Sequence, residues 1–354
     1  MTRTDPRMHL AVHLPSHLPW ADGRPATAGR GPLDFASLER LARTAERGLF
    51  DFLVVDPYTD ADTCPGPDIA PRPYEPYAAP EPTAVLSALA AVTDRIGLVA
   101  GAAPGAHEPF ELARSLATLD HLSGGRAAWH LVAPGSADDG HTAEFVGTAR
   151  ELWDSWTPDG RPRTFARQGR HFAVSGEFTV PRTPQGRPVV IHPLDPDDAA
   201  GREFAVATAD VLCPAHRTPK DGRERYADVK RRSTAHGRAP DDLLVMARAF
   251  CVLAATDAEA RARAVAADVH DRAGPPAFVG APRTVAAALA EQVAHGTADG
   301  FVLVPAHPID LLDTLESFVD EVVPLLQEQG AFRTEYAGRT LRDHLGLPEP
   351  AWRG

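Results

Sequence analysis

Apolar residues along this chain fall into two alternating patterns. Short Val/Ile/Leu-rich runs without polar alternation occur at Met8–His13, Asp51–Val55, Ile96–Gly101, Arg126–Val132, Pro188–His192, Ala209–Cys213, Leu243–Leu253 and Gly300–Pro305. Runs of this kind read as strands buried on both faces, as in a parallel sheet. Segments with helical spacing lie between them: Leu33–Arg47, Glu81–Thr93, Glu108–Leu122, Thr142–Trp156, Asp197–Thr208, Arg223–Ala235, Asp257–Asp271 with Pro282–His295, and Ile309–Gln329. In the last segment Leu311, Leu315, Phe318, Val322 and Leu326 mark one apolar stripe, and Gly330 stops it. Eight strands, each followed by a helix, predict an α/β fold of the (β/α)8 TIM-barrel type, for which about 250 residues suffice.

The chain has 354 residues, so roughly 100 must lie in insertions and a tail. The pattern predicts one barrel domain over 1–330, with insertions at 57–80 and 157–188, and a C-terminal arm over 331–354. The stretch Pro57–Tyr77 holds six prolines and reads as an irregular loop after the second strand, on the barrel face where sites are built. A hairpin is expected within the second insertion, with Gly169–Gly176 and Phe178–Pro181 as its strands. Pro80-Glu-Pro opens a helix where the backbone donors are unpaired anyway. Asp94-Arg-Ile-Gly97 and Ser123-Gly-Gly-Arg126 are tight turns feeding strands.

Composition narrows the classes. No run approaches the 18 or so apolar residues of a membrane span, and no apolar signal core follows the N-terminus, so a cytoplasmic protein is expected. Lys+Arg number 36 against 48 Asp+Glu, a net charge of −12. That argues against nucleic acid or an anionic membrane as partner and leaves a small-molecule substrate. Cys64, Cys213 and Cys251 are scattered and form neither a disulfide framework nor a CxxC metal site.

The candidate chemistry is at the strand ends. His13, His107, His130, His192, His216 and His307 all fall at or just beyond predicted strand C-termini, the functional rim of a barrel. Imidazole there can act as a base, a hydrogen-bond donor or a metal ligand. No HxH or HExxH spacing supports a metal, so none is expected. Asp56 ends the second strand, where it either serves the site or caps the following loop.

Several segments carry a resemblance. Glu46-Arg-Gly-Leu-Phe-Asp-Phe-Leu-Val-Val-Asp56, Glu108-Pro-Phe-Glu-Leu-Ala-Arg-Ser-Leu-Ala-Thr-Leu-Asp-His-Leu-Ser-Gly-Gly-Arg126, Val180-Pro-Arg-Thr-Pro-Gln-Gly-Arg-Pro-Val189 and the tail Phe318–Leu347 resemble the bacterial-luciferase-like flavin monooxygenases. The branch is the one containing the nitrilotriacetate, EDTA and dibenzothiophene-sulfone monooxygenases. The resemblance implies a luciferase-like barrel that uses reduced FMN, supplied by a separate flavin reductase, to oxygenate a small organic substrate. It further implies a homodimer, or a heterodimer with a paralogue. Carried onto this sequence, it places Asp56, Ala103, His130 and His192 at the cofactor, with His130 also catalytic, and His13, Trp20 and His307 around the substrate.

The chain departs from that pattern at the cofactor segments. After the fourth strand the family's Trp-Asn-Val-Val-Thr-Ser is replaced by Trp129-His-Leu-Val-Ala-Pro134, and after the third strand Gly101-Ala-Ala-Pro104 has no hydroxyl. After the fifth strand a small-residue loop becomes His192-Pro-Leu-Asp-Pro-Asp-Asp-Ala-Ala-Gly201. Asp195, Asp197 and Asp198 put negative charge where a phosphate would sit. One carboxylate about 4 Å from one phosphate charge costs about 4 kcal/mol at an effective dielectric near 20. The alternatives are therefore a degenerate, non-catalytic partner subunit that no longer binds FMN, and a family barrel turned to other chemistry such as that of a deazaflavin enzyme or a metal-dependent hydrolase.

Overall fold

The computed structural model describes residues 8–14, 34–56, 80–132, 140–194, 199–214, 218–266, 277–304 and 311–352. The strands are β1 (His9–Leu14), β2 (Phe52–Val55), β3 (Gly97–Ala102), β4 (Ala127–Leu131), β5 (Thr164–Gln168), β6 (Ala173–Glu177), β7 (Val189–Leu194), β8 (Val211–Pro214), β9 (Leu244–Leu253), β10 (Ala277–Gly280) and β11 (Gly300–Val304). Eight of them, β1-β2-β3-β4-β7-β8-β9-β11, pair in parallel, and the β11–β1 and β8–β9 pairings close the ring. This is the expected (β/α)8 barrel. Residues on alternate faces explain why the strands read as unbroken apolar runs. Ala11, Val54, Val99, Ala128 and Ile191 fill the interior. Their neighbours Val12, Leu53, Leu98, Trp129 and Val190 pack under the helices.

The helices form where their caps predict. Helix α1 (Phe35–Arg47) starts at Asp34, whose carboxylate accepts from Ala36 N–H. Helix α2 (Pro82–Ala90) starts at Glu81, which accepts from the amides of Thr83 and Ala84. Helix α3 (Pro109–Ser123) ends at Gly124 in the left-handed region, φ 69°, which a residue with a side chain adopts only at a cost. Helix α4 (His141–Trp153), α5 (Ala199–Thr208), α6 (Pro219–Ala235), α7 (Asp257–Ala266) and α8 (Pro282–Ala294) complete the middle of the ring. The final helix runs over Leu311–Glu328 but passes through a π turn at Phe318–Val322. Pro324 follows directly, and its nitrogen cannot donate to the carbonyl four residues back.

Two local expectations are corrected. The hairpin pairs Thr164–Gln168 with Ala173–Glu177, so Gly169–Phe172 is its turn, not a strand. The Glu144 carboxylate fixes that turn by accepting the amides of Arg170, His171 and Phe172 at 2.9–3.1 Å. β10 is an additional strand, pairing with the outer half of β9; its four residues are too few to carry a period.

The arm packs on its own barrel. Leu341, Leu345 and Leu347 join the interior cluster and close the N-terminal end of the barrel. Burying each leucine there contributes about 1.5–3 kcal/mol. Polar contacts fix the arm's path: Arg333 Nη1 lies 2.9 Å from Asp51 Oδ1, the Tyr336 hydroxyl donates to Phe50 O at 2.8 Å, and Arg342 pairs with Asp210.

Candidate active site

The strands deliver three titratable side chains to one point at the C-terminal mouth of the barrel. His13 follows Ala11 on the interior face of β1, Asp56 follows Val54 at the end of β2, and His130 follows Ala128 on β4. Asp56 Oδ2 lies 3.1 Å from His130 Nδ1 and 3.6 Å from His13 Nε2. The imidazoles meet edge to face, with centroids 6.5 Å apart. Gly101, the β3 partner of His130, makes the arrangement possible, because a Cβ there would stand 2.8 Å from Asp56 Oδ1.

The electrostatics follow from that geometry. Asp56 is 2% exposed, and burial alone would raise its pKa. The hydrogen bonds and charges of His13 and His130 overcome burial and hold the carboxyl well below the usual range. Asp56 is therefore an anion at any ordinary pH. Its contact with His130 Nδ1 draws the imidazole proton to that nitrogen and leaves Nε2 as the acceptor of the neutral ring. His13 Nδ1 is buried with no hydrogen-bond partner among the described residues. The three groups serve one another; among the described residues no set of three His, Cys, Asp or Glu side chains is arranged to hold a metal ion.

The other expected site residues are placed differently. Ala103 is fully buried just past β3, in step with Val99 and Gly101 on the interior face. His192 does not join the cluster. The register turns Ile191 inward and His192 outward, to a T-shaped contact with Phe204 of α5 and a 3.4 Å approach to Thr208 Oγ1. Burial, then the Arg150 charge, push its pKa down to about 3, so it is a neutral helix-packing histidine. His107 is exposed beside the turn Pro104–Ala106. Trp20, His216, His307 and the three aspartates at 195, 197 and 198 lie outside the described residues.

One interior residue escaped the sequence reading. Arg248 lies on β9 in step with Leu244 and Met246 and faces the barrel lumen. Its signal was present as the lone charge in the apolar run LVMARAFCVL.

A family profile described as luciferase-like monooxygenase matches residues 8–300. The chain is 31% identical to the N-acetyl-S-(2-succino)cysteine monooxygenase of Bacillus subtilis, covering 88% of this chain and 90% of that protein. It is likewise 31% identical to nitrilotriacetate monooxygenase component A of Aminobacter aminovorans, over 90% of this chain and 91% of that one. Among solved structures, the EDTA monooxygenase of Chelativorans sp. BNC1 superposes with a TM-score of 0.79 at 24% identity, covering 97% and 99% of the two chains.

Proposed function

The chain belongs to the luciferase-like monooxygenase family, and from that membership we propose that it oxygenates a small organic molecule at the His13–Asp56–His130 cluster, using reduced FMN delivered by a separate reductase. The observation that carries this reading is the ionised Asp56 held between two imidazoles at the end of the barrel where βα loops build sites.

The residues present fit a planar heteroaromatic with both donors and acceptors. The wall from β3 is made of small residues, Gly101 and Ala103, and His13 Nδ1 is a buried ring nitrogen without a hydrogen-bond partner among the described residues. Such an atom costs about 1–3 kcal/mol until something bonds to it. His13, Gly101, Ala103 and His130 would contact the ring, and Asp56 would act through the two histidines. When bound, reduced flavin supplies the two electrons that activate dioxygen.

The chain's own part is proton handling and exclusion of water. Inserting one oxygen atom and releasing the other as water consumes protons, and His130 Nε2 is the atom positioned to deliver one. Asp56, bonded to Nδ1, fixes the orientation of that ring. The apolar strands beneath, closed below by Leu341 and Leu345, keep bulk water from entering by the other end.

Titrating the purified chain with reduced and oxidised FMN, and with a deazaflavin in parallel, tests the cofactor. Saturable FMN binding, and oxygen consumption with a flavin reductase, are expected. No binding of either flavin sinks the reading.

A further inference from the structure

Strand β9 is apolar except at Arg248. Alternation points this residue inward, and it is paired through Val302 of β11 to Ala11 of β1. With the stagger of about eight residues usual for an eight-stranded barrel, the registers place His13, Gly101, Pro193 and Arg248 in one layer, contributed by alternate strands. Barrels ordinarily fill such a layer with Val, Ile and Leu. Here Gly101 yields its room to Asp56, Pro193 is small and exposed, and the two remaining members of the layer are polar.

Arg248 Nη2 and His13 Nδ1 are buried without a hydrogen-bond partner among the described residues. A guanidinium cannot shed its charge to relieve this, as a buried lysine would. Its field already reaches Cys213 on β8, inside the same barrel. Pro193 in the same layer is exposed, so the layer is open on the side of the mouth. The ionised Asp56 nearby disfavours a dianion, whereas a single planar carboxylate matches the two-pronged guanidinium.

We propose that Arg248 is the anion-recognising residue of the substrate pocket, and that the substrate carries a carboxylate bound at Nη2, which sets its reactive centre toward His13 and His130. This rests on the barrel mouth being the oxygenation site, and it names the class of molecule that site accepts.

The test uses calorimetric titration of the full chain, without added flavin, with acetate, succinate and citrate, and with neutral succinamide as control. Saturable binding of at least one carboxylate and none of succinamide is expected, with Arg248→Met weakening it at least tenfold and Arg248→Lys less. Separate FMN and riboflavin titrations of Arg248→Met should match wild type within about threefold. Three results overturn the proposal: no carboxylate binds, Arg248→Met binds carboxylate as well as wild type does, or the variant loses affinity for FMN but not riboflavin, which would assign the arginine to the phosphate. A chain that takes flavin but no carboxylate defeats this inference alone; one that takes carboxylate but no flavin defeats the cofactor reading alone. Arg248→Met removes a buried charge without removing bulk, and Arg248→Lys provides a second folded variant.

Discussion

Asp56 Oδ2 meets His130 Nδ1 at 3.1 Å although 74 residues separate them in the chain. The contact crosses β3, and it exists because the intervening strand presents Gly101 at that level. A carboxylate, a glycine and an imidazole on three successive strands thus form one unit, and each is useless to the others in a different register.

If His130 handles the proton, replacing it by Gln should lower product formed per flavin oxidised by about 10²-fold, within the range for positioned acid–base groups. Flavin affinity should change little. Asp56→Asn should lower it less, because the imidazole keeps its place but loses the carboxylate that holds its orientation through Nδ1. Measuring product and hydrogen peroxide together separates the cases: a variant with unchanged coupling would remove His130 from the chemistry.

Gly101→Ala tests the spacing. Its Cβ would come within 2.8 Å of Asp56 Oδ1, too close without displacing the carboxylate. Thermal stability should fall modestly, by about 1–3 kcal/mol for overpacking. Coupling should fall toward that of Asp56→Asn. Wild-type coupling in a folded Gly101→Ala would show that the carboxylate position does not matter.

The barrel was legible because buried parallel strands leave apolar runs, and all eight strands begin and end within two residues of the expected termini. Asp56, His13 and His130 were legible as polar residues at strand ends. His192 looked equivalent, yet strand parity decides inside from outside, and one residue's shift separates Ile191 from His192. The hairpin slipped because its turn is fixed by Glu144, on a distant helix, not by local turn residues. Arg248 is not legible from sequence alone because it stands mid-strand, and only the register turns it into the lumen.

His192 gives a pH prediction. Its pKa is about 3 in the fold against 6.5 for an unperturbed histidine. The unfolded chain therefore binds the proton more readily. The neutral ring's contribution is fully present above pH 6.5 and is lost as pH falls toward 3, at about 1.4 kcal/mol per unit. Denaturant unfolding from pH 7 to pH 4 should show a steep loss of stability in wild type and a shallower one in His192→Gln. Equal slopes would place that sensitivity elsewhere.

The opposite end of the barrel makes the last prediction. Asp51 is fully buried and receives Leu10 N–H at 2.9 Å, His9 Nδ1 at 3.1 Å and Arg333 Nη1 at 2.9 Å. Arg333 also donates from Nε and Nη2 to the carbonyl of Leu49, a non-glycine residue held at φ 59°. Burial raises the Asp51 pKa, but the charges of Arg333 and His9 more than offset this, and the net shift is downward. Arg333→Met leaves the carboxylate buried without its cation, so it should destabilise by about 3–5 kcal/mol. The sign with pH should also change. Wild type keeps this contribution above the ordinary carboxylate range and loses it on acidification, whereas Arg333→Met should suffer least where Asp51 is protonated. Denaturant midpoints at pH 4 and pH 7 check both statements, and a variant equally weakened at the two values would mean that the arm is held by Leu341 and its neighbours instead.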